Sequence, residues 1–305
     1  NRDVRVVAGT SWLFSNEKMV DAPVDVLLID EAGQFALADA LASSRAAHSL
    51  ILLGDPLQLS QVTQAVHPGG GGRSALGHVI GGEAILPETR GVFIEHTRRM
   101  HPDICRFISK ELYEGRLKWH KNCERQTTVA GTGLRWLMAD HEGNSTSSAE
   151  EALIVGQQIA KLVGTPWTNF EGQVNPLTVD DFMVVTPYND QVRTIRRVLD
   201  ADARTRGVPV GTVDKFQGGT AAVVLFSTAT STGADVVRGV DFLFSRERLN
   251  VAISRARCLA YLVCTEDLLN TRARSVEEMR LIATLNALVE WAQVSVPTTS
   301  QPAAS

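Results

Sequence analysis

The chain has 305 residues, 44% of them hydrophobic and 21% charged, with a net charge of −4. This is ordinary globular composition, long enough for a sizeable core and about two domains. It carries no overall basicity, although a local basic groove does not need a basic whole.

The four cysteines, Cys105, Cys123, Cys258 and Cys264, form no C-x-x-C pair and no zinc-type spacing. At this size they argue against a disulfide framework and for a reducing cytoplasm. No apolar run approaches the ~20 residues that cross a bilayer, so no membrane partner is expected, and no signal peptide is visible. Because the first residue is Asn1 rather than Met, the natural N-terminus is expected elsewhere.

Short apolar runs alternate with helical patterns along the chain. Strands are expected at 4–8, 24–29, 50–53 and 91–95, then a helix at 102–113 and another at 149–163. A strand at 182–186 precedes a helix at 189–202, and a strand at 222–227 precedes a helix at 246–255. A strand at 259–264 and a helix at 276–293 complete the pattern. Several of the strands are continuous Val, Ile and Leu runs, as strands buried on both faces of a parallel sheet read. The alternation predicts α/β architecture with parallel sheets.

Ser148-x-x-Glu151 has capping-box spacing ahead of one helix, and the polar, small-residue stretch 141–148 before it reads as a loop. Residues 69–72 are a glycine run and are read as a flexible loop. A domain break is expected near 87–91, where glycine and proline precede a new strand. The tail 294–305, rich in Ser, Thr, Pro and Ala, is expected to be disordered.

The run Val26-Leu27-Leu28-Ile29-Asp30-Glu31-Ala32-Gly33-Gln34 ends an apolar strand in two adjacent acids. Such a pair suits phosphoryl chemistry: Asp30 as an oxygen ligand for Mg²⁺, and Glu31 as the base that polarises the attacking water. The plain alternative is an acidic pair that caps the next helix. A second apolar strand leads to Gly54-Asp55-Pro56-Leu57-Gln58. A neutral amide at a strand's C-terminal edge can touch both a γ-phosphate and the attacking water; the alternative is an ordinary β-turn.

Two arginine segments follow, Arg98-Arg99-Met100-His101-Pro102 and Ser254-Arg255-Ala256-Arg257. A planar, always-charged guanidinium suits a transferring phosphoryl group, whereas a lone arginine is otherwise a surface residue. Read as part of a helical stretch, Arg255 and Arg257 cannot share a face, so one at most points at nucleotide. Thr212-Val213-Asp214-Lys215-Phe216-Gln217-Gly218 offers backbone amides for close approach to a phosphate. Thr186-Pro187-Tyr188-Asn189 ends a strand where a hydroxyl and a helix N-terminus could hold a nucleic-acid phosphate. The stretches 98–125 and 193–206 are basic, and either line a strand-binding groove or are solvated helix faces.

In this order, DEAGQ at Asp30, GDPLQLSQV at Gly54, RRMHPDICRFIS from Arg98, VVTPYNDQ at Val184, TVDKFQG at Thr212 and RLNVAISRAR at Arg248 resemble superfamily 1B helicases of the nonsense-mediated-decay helicase and senataxin type. The resemblance runs from about Val4 to Thr265. It implies RecA-like parallel sheets flanked by helices, one partial domain (1–90) and one complete domain (91–293). It further implies a motor that couples ATP hydrolysis, with Mg²⁺, to movement on single-stranded DNA or RNA, acting as a monomer. By resemblance, Asp30 holds the metal, Glu31 activates water and Gln58 senses the γ-phosphate. Arg99 and Arg255 are the two arginines of the second domain, while Gly54, Asp55, Gln217 and Gly218 border nucleotide. Thr186, Tyr188 and Thr212 border the nucleic-acid strand.

The chain departs from the family pattern in two places. Thr220 stands where family members usually carry a ribose-contacting Glu. No G-x-x-x-x-G-K-[ST] loop occurs in the chain, and Gly131-Thr132-Gly133 lacks both the Lys and the spacing. That phosphate loop is expected upstream of Asn1, so these residues alone are expected to hydrolyse ATP poorly. The competing reading is a non-catalytic module, derived from such a motor, that binds nucleic acid or a protein partner.

Overall fold

A computed structural model describes residues 4–59, 72–81, 86–216, 218–237 and 239–294. The expected glycine loop at 69–71, Gln217 and the tail from 295 onward lie outside the described residues. The chain divides into two compact units, 1–93 and 94–305.

In the first unit, β1 (Val24–Ile29) pairs in parallel with β2 (Ala47–Leu52), Ile29 standing opposite Leu52. α1 (Leu37–Ser44) connects them and α2 (Ala75–Ile80) follows. Leu27 and Ile29 pack with Phe14, Ala32, Ala40, Leu76 and Ile80 into one core, because alternate side chains of a strand point to the same face. The other face of the pair is exposed, with Val26 at 42% and Leu28 at 58%. The expectation of strands covered on both faces therefore does not hold here among the described residues.

The expected strand at 4–8 is absent: residues 4–8 are irregular and exposed. The β-branched run has the composition of a strand, but a strand is completed only by a hydrogen-bonding neighbour, and none stands beside it among the described residues. The expected strand at 91–95 is likewise irregular. Pairing begins just beyond it, where His96–Thr97 runs parallel to Lys118–Trp119.

The second unit holds a five-stranded sheet formed by β3 (Gly133–Met138), β4 (Phe182–Thr186), β5 (Val210–Thr212), β6 (Ala221–Ser227) and β7 (Ala256–Cys264). The order is β5-β4-β6-β7-β3 and every pairing is parallel. β4 and β6 are buried at every position, as continuous apolar runs require when helices cover both faces.

Those helices are α3 (Pro102–Leu112), α4 (Ala149–Leu162), α5 (Asn189–Ala201), α6 (Arg246–Ser254) and α7 (Val276–Val294). Each begins and ends close to the position that periodicity predicts. Pro102 occupies the first turn of α3, where its missing N–H costs nothing, and His101 caps it by accepting from the Asp103 N–H. Ile159, Val184, Ile195, Leu199, Val223 and Leu225 form the centre of the core.

The capping box at Ser148 is only half made. The Ser148 hydroxyl accepts from the Glu151 N–H at 3.0 Å. The Glu151 carboxylate turns away into the core, and the Ser148 N–H donates instead to Gln191.

Candidate functional site

In the first unit the two acids and the glutamine meet at one strand-end edge. Asp30 and Glu31 directly follow β1, and Gly54 and Asp55 follow Leu53 at the end of β2. The ends are laced together: Leu53 N–H donates to Ile29 O at 2.8 Å, and Ala32 N–H donates to Leu53 O at 2.7 Å. Glu31 adopts φ 52 to make that return. A non-glycine residue held in the left-handed region is strain that tends to collect at functional sites.

Nesting of the two turns depends on glycine. A Cβ on Gly54 would lie 3.0 Å from the backbone nitrogens of both Ala32 and Gly33, and one on Gly33 would lie 2.8 Å from the carbonyl of Asp55. Around this seam the polar side chains hold one another. Asp30 Oδ1 accepts from the Glu31 N–H at 2.9 Å, and Gln34 donates to Glu31 Oε2 at 3.2 Å. Asp55 accepts from the Leu57 N–H at 2.9 Å and from Gln58 Nε2 at 3.2 Å. The Asp30 and Glu31 residues are exposed.

Among the described residues no group of three His, Cys, Asp or Glu side chains is arranged to hold a metal. Mg²⁺ bound by one or two carboxylates and substrate phosphates needs no such cage. The exposed oxygens of Asp30 and Glu31 have the hard-donor chemistry it prefers.

The two arginines meet in the second unit. Arg99 Nη1 donates to the Ser254 carbonyl at 3.2 Å, one residue before Arg255, and Gln126 Nε2 fixes the Arg99 carbonyl at 2.7 Å. Arg255 closes α6 and is 2% exposed. Its carbonyl accepts from the Ala221 N–H at 3.1 Å, so it sits where β6 and β7 begin.

Arg255 and Arg257 do not lie in one helical stretch, as the sequence reading assumed. The helix stops at Ser254 and Arg257 belongs to β7. There the Arg257 guanidinium donates to the Thr220 hydroxyl at 2.8 Å, so the departure residue Thr220 is the anchor of a cation. The Arg257 carbonyl takes the His101 N–H at 2.8 Å, tying the segment before α3 to the same strand end.

At the opposite, C-terminal edge of this sheet, Thr186 stands beside Thr212 in register. Thr186 is fully buried. Next to it lies a cavity of about 350 Å³ lined by Thr146, Tyr188, Asn189, Asp190, Thr212 and Asp214 among others. The Tyr188 ring packs 5.9 Å from Phe242. Arg248 stacks its guanidinium 4.1 Å above Phe242 and pairs with Asp214 at 3.3 Å. Gly218, exposed and at φ 84, occupies a conformation open to glycine at no steric cost.

Some cations of the basic stretches are paired with acids: Arg106 meets Asp103, Lys118 meets Glu95, Arg193 meets Asp190 and Arg204 meets Asp202. One constellation escaped sequence reasoning altogether. Glu151 is fully buried and accepts from Ser227, Thr228, the Ala229 N–H and His141. Its spacing from Ser148 reads equally well as an N-cap. The only other signal was the unbroken small-residue run Ser227–Ser231 behind a strand.

An α/β unit with a five-stranded parallel sheet and paired arginines, preceded by a unit with an acid pair at a strand end, is the build of a helicase-like motor domain. The chain belongs to the family described as "AAA domain", which matches residues 83–267. It is 28% identical over 274 residues to "Helicase sen1" of Schizosaccharomyces pombe, covering 80% of this chain and 15% of that protein. It is 30% identical to "3'-5' exoribonuclease HELZ2" of Mus musculus, covering 76% of this chain and 8% of that protein. It is 26% identical to "Probable helicase senataxin" of Homo sapiens, covering 77% of this chain and 9% of that protein. These likenesses make it helicase-like, of the superfamily 1B kind. The chain spans a small fraction, 8 to 15%, of the length of these relatives.

Proposed function

We propose that this chain is part of the motor of an ATP-dependent helicase or translocase that moves on single-stranded DNA or RNA. The observation that carries the reading is the seam between β1 and β2. There Asp30 and Glu31, side by side after one strand, face a Gly54–Asp55 turn whose aspartate holds Gln58. Residues 1–90 then form the C-terminal half of a first RecA-like domain, 91–293 a second, and 294–305 a tail. Four thiols that are free among the described residues suit the cytoplasm.

In this reading Asp30 holds Mg²⁺, whose charge offsets that developing on the phosphates. Glu31 takes the proton of the attacking water. Gln58, clamped by Asp55, reports whether the γ-phosphate is present, and Gly54, Asp55, Gln217 and Gly218 border the nucleotide. Arg99 and Arg255 supply positive charge to the transferring group. Tyr188 and Thr212, with Thr186 behind them, border the strand.

Coupling to movement requires that nucleotide bind one conformation of the motor more tightly than another. The test is ATP hydrolysis, with and without single-stranded DNA or RNA, by the protein that contains this chain together with a phosphate loop. Turnover stimulated by nucleic acid and reduced about a thousandfold by Glu31→Gln is expected. Turnover indifferent to Glu31→Gln defeats the reading. Binding of nucleic acid with no turnover at all favours the non-catalytic module.

A further inference from the structure

The fully buried carboxylate of Glu151 has no part in the roles assigned above. It lies in the first turn of α4 and takes two donors on each oxygen. Oε2 accepts from the Ser227 hydroxyl at 2.5 Å and the Ala229 N–H at 3.0 Å, and Oε1 accepts from the Thr228 hydroxyl at 3.0 Å. His141 Nε2 also lies 3.1 Å from Oε1. A carboxylate only accepts, so Nε2 carries the hydrogen. In the neutral ring Nδ1 then accepts from the Ser231 hydroxyl at 2.8 Å, leaving the Ser231 oxygen to accept from the Asn144 N–H at 2.9 Å. Ala229 adopts φ 66 beside this carboxylate. Ser231 and Glu151 are both fully buried, so this Ser–His–Glu chain presents no nucleophile to a substrate.

Burying a charge is costly, and apolar residues of the same volume often serve packing equally well. What the carboxylate adds is a set of directed links, and two of them lead to the cavity beside Thr212. First, the Ser227 hydroxyl that donates to Glu151 accepts from Gln191 Nε2 at 3.0 Å. Gln191 in turn clamps both backbone groups of Ser148. Gln191 sits in the first turn of α5 beside Asn189 and Asp190, which line the cavity. Second, the loop after β3 is pinned through Asn144 to Ser231 and through the Ser145 carbonyl to Thr230 Oγ1 at 2.8 Å. The next residue, Thr146, lines the cavity and donates to Asp190 at 3.1 Å.

We infer that Glu151 is the positioning residue of the strand-binding groove, fixing the 144–146 loop and the first turn of α5 against each other. The inference rests on the reading of this cavity as the groove that borders single-stranded nucleic acid. The residue acts through Thr146 and Gln191, not by touching the strand.

The test is the affinity of the chain for a short fluorescein-labelled oligothymidylate, measured with a double-mutant cycle. Glu151→Gln exchanges an acceptor for a donor at nearly constant volume, and about a tenfold weakening is expected. Because Thr146 is placed by the same network, Glu151→Gln and Thr146→Ala together are expected to lose less than the sum of the two. Thr212→Val, outside the network, is expected to add fully to Glu151→Gln. A folded Glu151→Gln chain that binds like wild type, or losses that add with Thr146→Ala, overturns the inference while Thr212→Val still weakens binding. A wild-type chain that ignores the oligonucleotide, or Thr212→Val and Tyr188→Ala without effect, overturns the groove reading and the inference with it. Should Glu151→Gln not fold, Ser227→Ala removes the bridge to Gln191 and leaves three donors on the carboxylate, and it is judged by the same outcomes.

Discussion

Arg99 reaches across the fold to donate to the carbonyl of Ser254, the residue just before Arg255. The Arg99 guanidinium and the Arg255 backbone, remote in sequence, are thereby set at one strand end of the second unit. If both arginines serve the transferring phosphoryl group, geometry matters as much as charge, because an ammonium lacks the planar fork. Arg99→Lys is expected to lower nucleic-acid-stimulated ATP hydrolysis by about a thousandfold in the intact motor, while the far-ultraviolet circular dichroism stays that of wild type. Hydrolysis within a factor of about two of wild type removes Arg99 from the chemistry.

Thr220 and Arg257 give a second, independent expectation. The bond between them, at 2.8 Å, joins the start of β7 to the segment leading into β6. Thr220→Val keeps the shape and deletes the acceptor, so the chain is expected to lose about 1 kcal/mol in urea unfolding. Thr220→Glu restores an acceptor, now charged, and is expected to unfold no earlier than wild type. Equal stability of Thr220→Val and wild type shows that the bond contributes nothing.

Gly33 is the tightest point of the first unit's seam. An added methyl meets the Asp55 carbonyl at 2.8 Å, where backbone on both sides must move. Gly33→Ala is expected to cost about 1–3 kcal/mol and to loosen Asp55 and Gln58 together. Amide exchange at Ala32, whose N–H crosses the seam to Leu53, reads both effects. Unchanged protection there rejects the close-approach argument.

Asp103 makes the acid limb of stability predictable. His101, whose Nδ1 lies 3.3 Å from the carboxylate, holds the Asp103 carboxyl well below the usual range, the Thr132 hydroxyl at 2.5 Å and the Arg106 guanidinium add to this, and partial burial opposes it. A lowered folded value means the stabilisation is complete above the ordinary value of 3.8 and is lost as pH falls through the folded value. The stability gap between wild type and Asp103→Asn is therefore expected to be constant above about pH 5 and to close below it. A gap that widens in acid contradicts the assignment.

The helices were legible because amphipathic periodicity extends over several turns and their ends carry local signals, such as Pro102 after His101 and Ser148 before α4. β4 and β6 were legible because burial on both faces removes alternation and leaves plain apolar runs. Residues 4–8 and 91–95 misled, since β-branched composition records what a strand tolerates and not whether a neighbour is present. At the candidate site, adjacency in sequence put Asp30 beside Glu31, and turn chemistry picked out Gly54 with Asp55, which the fold sets at neighbouring strand ends. The separate placement of Arg255 and Arg257 was not visible, because it depends on a helix giving way to a strand at Ser254. Nor was Glu151, whose carboxylate finds its donors through folding and not through spacing.

The uncovered side of the β1–β2 pair has a practical corollary. Val26, Leu28 and Ile51 turn hydrocarbon toward water from adjacent strands, and contiguous greasy surface of that kind draws molecules together. Preparations of these residues alone should show light scattering that climbs with protein concentration and with sulfate. A single lysine at Leu28, in the middle of the exposed side, should keep them clear.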